Sequence, residues 1–161
     1  TPNGSWSLDA MRCQTIDQRP VEFLLVLDEY SRFCLALDAY PKVDSLAVRT
    51  TLERLFNEGF VPLKLRVDRT SLKLLRDGPD LLAHIQVVCA RGKSPARNPY
   101  AESFLSRFRT ERLNNASLVD LPHAQRVADQ WRHACNHERP HSGIGYRSPV
   151  ELLEVDEPHN R

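Results

Sequence analysis

Three carboxylates stand out by their surroundings. Asp9 is flanked by Leu8 and Ala10 in a strand-like segment, Trp6 to Met11, where a charge is costly unless it is paired, metal-bound or at a strand edge. Asp68 closes an alternating run in which Leu63, Leu65 and Val67 enclose Lys64 and Arg66, so a strand delivers it at its C-terminal end, a place suited to chemistry. Glu102 follows a helix start at Asn98-Pro99; at about 100° per residue it points about 200° away from Phe104, off the apolar stripe of Tyr100, Phe104 and Phe108. Ser106 and Arg109 fall within about 40° of Glu102 on that polar face. If the three acids converge in a mixed sheet they make an oxygen-only donor set. Such a set suits Mg²⁺ or Mn²⁺, and two such ions can activate a nucleophile and stabilise a departing 3′ oxygen in phosphoryl transfer. Spacing leaves two alternatives open: Asp9 accepting backbone hydrogen bonds at a strand end, and Glu102 pairing with Arg109 on a solvated helix face.

The elements that must position these residues follow from hydrophobic pattern. After the first strand, the run Phe23-Leu24-Leu25-Val26-Leu27 has the continuity of a strand covered on both faces, and a polar turn at Asp28 to Arg32 leads into Phe33 to Leu37, which makes an antiparallel hairpin. Asp44 caps a helix to about Glu58 with Gly59 as its stop. The fourth strand then carries Asp68, Ser71 to Leu82 forms a helix or two short turns interrupted at Gly78-Pro79, and His84 to Cys89 is a fifth strand. Arg91 to Arg97 reads as a mobile basic loop before the Asn98 helix. A further helix begins near Asp120 with Ala124, Val127, Ala128, Trp131, Ala134 and Cys135 on one stripe, His137 to Ser148 is loop, and Pro149 to Leu153 is a short last helix.

Composition fits a single soluble domain over residues 1–161: 41% hydrophobic and 27% charged residues leave enough apolar material for one core. No run approaches a membrane span and the start lacks the pattern of a signal peptide, so the chain reads as cytoplasmic. Its start at Thr1 rather than Met suggests a segment of something longer. The net charge of +1 is uneven, with ten Lys/Arg against five Asp/Glu in residues 91–149, which makes the C-terminal half the side for a polyanion, although a solvated helix face gives the same count. Cys13, Cys34, Cys89 and Cys135 form no C-x-x-C pair and read as reduced, mostly core, residues. His133, Cys135, His137 and His141 are close in sequence, but their spacing fits no common zinc site.

Four stretches make the chain resemble bacterial insertion-sequence transposases, whose catalytic core is shared with retroviral integrases: Trp6-Ser7-Leu8-Asp9; Leu25-Val26-Leu27-Asp28-Glu29-Tyr30-Ser31-Arg32; Tyr100-Ala101-Glu102-Ser103-Phe104; and Asn136-His137-Glu138-Arg139-Pro140-His141-Ser142-Gly143-Ile144-Gly145-Tyr146, continuing to Ser148-Pro149. The resemblance implies an α/β, ribonuclease-H-like fold, with a five-stranded mixed sheet whose first three strands are antiparallel, flanked by helices. It maps the family's acidic triad onto Asp9, Asp68 and Glu102, with 33 residues between the second and third. It further implies two Mg²⁺ or Mn²⁺ ions, cleavage and strand transfer at mobile-element ends, a homo-oligomer on DNA without membrane involvement, and a DNA-binding helix-turn-helix upstream of this chain. Lys93, Arg109, Arg139, His141 and Arg147 are the expected DNA contacts.

The chain departs from the family after the second aspartate. Asn-Gly is usual there, with Glu-Phe two residues later, where this sequence has Arg69-Thr70-Ser71-Leu72. Arginine beside a metal carboxylate can compete with the cation, and loss of glycine removes easy access to positive φ. Pro99 also stands where the family has glycine. The alternative reading is therefore a nucleic-acid-binding module that keeps the fold and has lost catalysis.

Overall fold

An apolar run as continuous as residues 23–27 needs cover on both faces. The computed structural model, which describes residues 1–76, 79–89 and 98–156, places it one strand in from the edge of a mixed sheet. The strands are β1 (Ser5–Gln14), β2 (Pro20–Asp28), β3 (Cys34–Tyr40), β4 (Lys64–Val67) and β5 (Gln86–Cys89), in the spatial order β3-β2-β1-β4-β5. The first three are antiparallel, while β4 runs parallel to β1 and β5 parallel to β4. The helices are α1 (Ser45–Asn57), α2 (Arg69–Leu74), α3 (Pro99–Glu111), α4 (Leu121–His137) and α5 (Pro149–Asp156). This is the mixed α/β sheet expected from the sequence.

Strand alternation sorts the core into two layers. Met11, Phe23, Leu25 and Leu27 face Ala101, Phe104 and Phe108 of α3 and Ala128 and Trp131 of α4, with the Phe23 and Phe108 rings edge to face at 5.1 Å. Trp6, Leu8, Leu24, Val26, Leu65 and Val67 face the other way, toward Val48, Leu52 and Leu55 of α1. Asp44 caps α1 by accepting from the Ala47 N–H at 2.9 Å, and Asp120 caps α4 in the same way through His123 at 2.8 Å. Gly59, at φ +91°, supplies the left-handed residue that stops α1.

The unpaired edge of β3 is closed by side chains of α4. Asn136 accepts from the Cys34 N–H at 2.7 Å and donates to its carbonyl at 2.9 Å. Gln125 does the same in two parts, accepting from the Ala39 N–H at 2.7 Å and donating to the Leu37 carbonyl at 3.1 Å. Two amides thus stand in for a neighbouring strand and leave less of the edge open to pairing with another chain.

Several details differ from the sequence expectation. β1 continues past Met11 to Gln14 because it pairs with β2 as far as Pro20, aided by an ion pair of Arg12 with Glu22. Residues 71–82 resolve into α2, which starts earlier at Arg69, and a short 3₁₀ turn at Pro79–Leu82. Asn98 stands at the N-cap position of α3, but its side chain makes no capping bond, and both its polar atoms are buried without partners. The 137–148 loop contains a 3₁₀ turn at Ser142–Ile144 and a backbone bridge between His141 and Arg147. The expected basic loop at residues 91–97, Lys93 included, lies outside the described residues. Among the described residues no helix is long and apolar enough to cross a membrane.

Candidate active site

In β1, Leu8 packs on the α1 side, so the alternation turns Asp9 toward α3, the side on which Met11 packs. The β1–β4 ladder pairs Ser5 with Lys64, Trp6 with Leu65 and Ser7 with Arg66. Two residues further in the same register, Asp9 comes level with Asp68. Glu102, exposed in the first turn of α3, joins them from above the sheet. Asp9 registers both: burial first, then the negative charges of Asp68 and Glu102, push its carboxyl up to about 6 from 3.8, against a lowering contribution from the Ala10 N–H that its Oδ1 accepts at 2.8 Å. The three acids, separated in the sequence by 58 and 33 intervening residues, are therefore electrostatic neighbours.

Asp68 has a second task. It is the N-cap of α2, its Oδ1 accepting from the Ser71 N–H at 2.7 Å. Arg69 and Thr70 are the first helical residues after it, so no positive φ is needed where the family has Asn-Gly. Arg69 is exposed, and among the described ion pairs none joins it to Asp68. Among the described residues no three His, Cys, Asp or Glu side chains are gathered closely enough to hold an ion. The chemistry of the donors fits a hard cation, since three carboxylates supply oxygen alone and Asp9 carries unrelieved repulsion that a cation would remove.

A brace that sequence reasoning missed lies beside this group. Glu29, just past β2, accepts from the Ser7 hydroxyl and from Arg66 Nε at 2.8 Å. Burial opposes ionisation of Glu29, but Ser7, Ser5 and Arg66 together hold its carboxyl below the usual range. The brace thereby fixes the β1–β4 register two residues before the two aspartates. Its neighbour Asp28, 2% exposed, accepts from the N–H of Asn3 at 2.9 Å and from both the N–H and hydroxyl of Ser31, which locks the β2–β3 turn. The signal was present in the run 28–32, whose polar residues read as a turn and as part of the resemblance, with no bracing role assigned to Glu29.

The residues expected to meet DNA are dispersed. Arg109 lies two turns beyond Glu102, roughly 10 Å along the helix axis, where its charge is felt by Cys13 of β1, whose thiol burial pushes up. α3 therefore runs alongside β1, with Glu102 near Asp9 and Arg109 near Cys13. Arg139 is held between the Glu111 carboxylate and the Trp131 ring, 4.9 Å from its centroid. Arg147 is exposed, and its carbonyl accepts from the His141 N–H at 2.9 Å. Tyr146 is 77% exposed at φ +59°. Trp131 is core as expected. The His133 and His137 rings stack at 4.4 Å.

Sheet order, strand directions and flanking helices are those of the ribonuclease-H-like integrase catalytic cores. The chain superposes on the HTLV-2 integrase catalytic core domain, solved in complex with magnesium, with a TM-score of 0.70 at 11% identity, covering 94% of this chain and 96% of that one. Residues 83–149 match the integrase core domain family. The chain is 28% identical over 94% of its length to an uncharacterized 31.7 kDa protein of insertion element IS407 from Burkholderia multivorans, of which it covers 55%. It is 26% identical over 94% of its length to an uncharacterized 39.2 kDa protein of insertion element IS476 from Xanthomonas euvesicatoria, of which it covers 44%. The chain spans about half the length of the curated relatives it matches.

Proposed function

We propose that the chain is the catalytic core of a bacterial insertion-element transposase, which cleaves DNA at the element's ends and transfers the strand to a target. The observation that carries this reading is the place of Asp9, at mid-strand and within reach of the charges of Asp68 and Glu102: burial first, and then those two acids, raise its carboxyl to about 6. Acids brought together from a mid-strand, a strand end and a helix face repel one another, and such an arrangement marks a functional site. Asp9 and Asp68 would share one divalent cation and Glu102 would help hold a second. When bound, Mg²⁺ or Mn²⁺ supplies nucleophile activation and charge stabilisation at the leaving 3′ oxygen. The protein's part is to bring the carboxylates to one place and hold them there through the Glu29–Arg66 brace and the α2 cap. DNA and a second copy of the chain are the partners that belong to this reading, with a cytoplasmic location.

The absence of an ion pair between Arg69 and Asp68 argues against the alternative, a DNA-binding module that has lost catalysis. The test is nicking and strand transfer on terminal-repeat DNA with Mn²⁺. Activity that depends on the metal and disappears in Glu102→Gln supports the assignment. Equal activity in Glu102→Gln sinks it, and a protein that binds DNA but neither binds Mn²⁺ nor nicks is the non-catalytic module.

A further inference from the structure

α3 carries a second polar stripe, separate from that of Glu102. Ser103 and Arg107 turn toward the β2–β3 turn and the 140–146 loop, and between these elements lies a cleft of about 540 Å³. Its walls include Arg32, Tyr100, Ser103, Arg107 and His141, and among the described residues no Asp or Glu lines it. Two of its nitrogens, Arg107 Nε and His141 Nε2, are buried without a hydrogen-bond partner, a condition that costs free energy until an acceptor arrives. Arg32 is held over the Tyr100 ring, 3.5 Å from its centroid, on a backbone at φ +63°. Its guanidinium passes 3.6 Å from where a side chain on Gly143 would begin. Of the carboxylates near the cleft, Glu111, one turn beyond Arg107, is bonded to Arg139, and Glu29, which lines the adjoining hollow with Arg32 and Tyr100, is bonded to Arg66. Two guanidiniums, an imidazole and a serine hydroxyl, converging without a counter-charge in the walls, describe the environment of a tetrahedral oxyanion.

We propose that this cleft binds a phosphate of the DNA backbone, away from the carboxylate group, and so anchors the strand across the start of α3. The inference rests on the reading of the chain as a DNA-acting core and adds a contact to it. Tyr146, 77% exposed at the rim, offers a ring face for a base beside that phosphate. Arg32 closes one of the four stretches that carry the resemblance but was given no role there, and Arg107 did not stand out in the sequence, lying on a helix face.

The test is DNA binding of the whole chain in EDTA, by fluorescence anisotropy on a short duplex over a series of salt concentrations. Without metal the readout is independent of whether the carboxylates catalyse. Arg107→Gln should weaken binding about tenfold to a hundredfold and reduce the slope of log K against log salt by about 0.9. In the unaltered protein, inorganic phosphate should shift the ring NMR signals of His141 where equal ionic strength of chloride does not. A folded Arg107→Gln protein with unaltered affinity and salt slope overturns the proposal, as does a His141 ring indifferent to phosphate. If Mn²⁺-dependent nicking survives alongside either result, the cleft assignment falls and the catalytic reading stands.

Discussion

Asp9 in the middle of β1 and Asp68, the residue after β4, each stand two positions beyond the paired residues Ser7 and Arg66 of the parallel β1–β4 ladder, and the charge of Asp68 is felt by Asp9. Neighbouring strands lie about 4.8 Å apart, so two ionised carboxylates on one face cannot avoid each other there. Burial first, and then Asp68 and Glu102, raise the Asp9 carboxyl to about 6.

A pH dependence of folding follows from that value. The folded-state pKa of Asp9 is about 6, above its ordinary 3.8, so the folded protein binds more protons than the unfolded chain between these values. The contribution of Asp9 to metal-free stability is then greatest below about pH 4 and declines as pH rises to about 6, by a total on the order of 3 kcal/mol. Asp9→Asn removes the titration. Its melting temperature in EDTA should vary less between pH 4 and 7 than that of the unaltered protein, and an identical pH profile for the two would refute the assigned cause.

Divalent cations should reverse the penalty. Mn²⁺ at a hundred times its dissociation constant stabilises a one-site protein by about 2.7 kcal/mol. Thermal melts at pH 7.5 should therefore rise with Mn²⁺ in the unaltered chain and not in Asp9→Asn or Asp68→Asn. A rise of equal size in all three would place the ion elsewhere.

Glu102 should separate activity from stability. It is exposed in the first turn of α3, so Glu102→Gln should change stability by no more than about 0.5 kcal/mol. Nicking with Mn²⁺ should fall on the order of a thousandfold, the equivalent of several kcal/mol of lost charge stabilisation. Circular dichroism melts and a gel-based nicking assay on one preparation read both quantities.

Asn136 tests the closure of the β3 edge. It is 1% exposed, and its amide satisfies both the N–H and the carbonyl of Cys34. Asn136→Ala strands both groups, and we expect a loss of about 2 to 4 kcal/mol in denaturant unfolding. Gln125→Ala, at the more open end of the same edge, should cost about 1 kcal/mol. Equal losses in the two would show that burial of the bonded groups is not what sets the difference.

His141 gives a second pH test. Burial first, then Arg107, Arg139 and Arg32, hold its imidazole below the ordinary 6.5, while the Cys135 backbone acts the other way. Glu111 is the carboxylate on the facing helix, engaged with Arg139. A bound phosphate offsets the positive charges, so it should raise the His141 pKa, and by linkage DNA binding in EDTA should strengthen as pH falls through that range. His141→Gln should flatten the pH dependence of binding in anisotropy titrations.

Much of this molecule was legible in its residue order because local rules decide it. The two-sided burial of β2 was written in Phe23 to Leu27, the start of α1 in Asp44, its end in Gly59, and the outward face of Glu102 in its position relative to Phe104. Four short stretches pointed to the integrase-like fold, which the sheet order bears out. Long-range pairing decided the rest. No spacing rule states that Ser7 meets Arg66, yet this register sets Asp9 against Asp68. Asn136 and Arg139 stand in one motif, but only tertiary structure turns the first onto the β3 edge and the second onto Glu111 and Trp131. The Arg32–Arg107–His141 cleft gathers residues from a turn, a helix and a loop, and its unmet nitrogens exist only once packing has removed water from them. Residue type sets what each side chain can do, whereas burial and neighbours, both products of the fold, set what it is made to do.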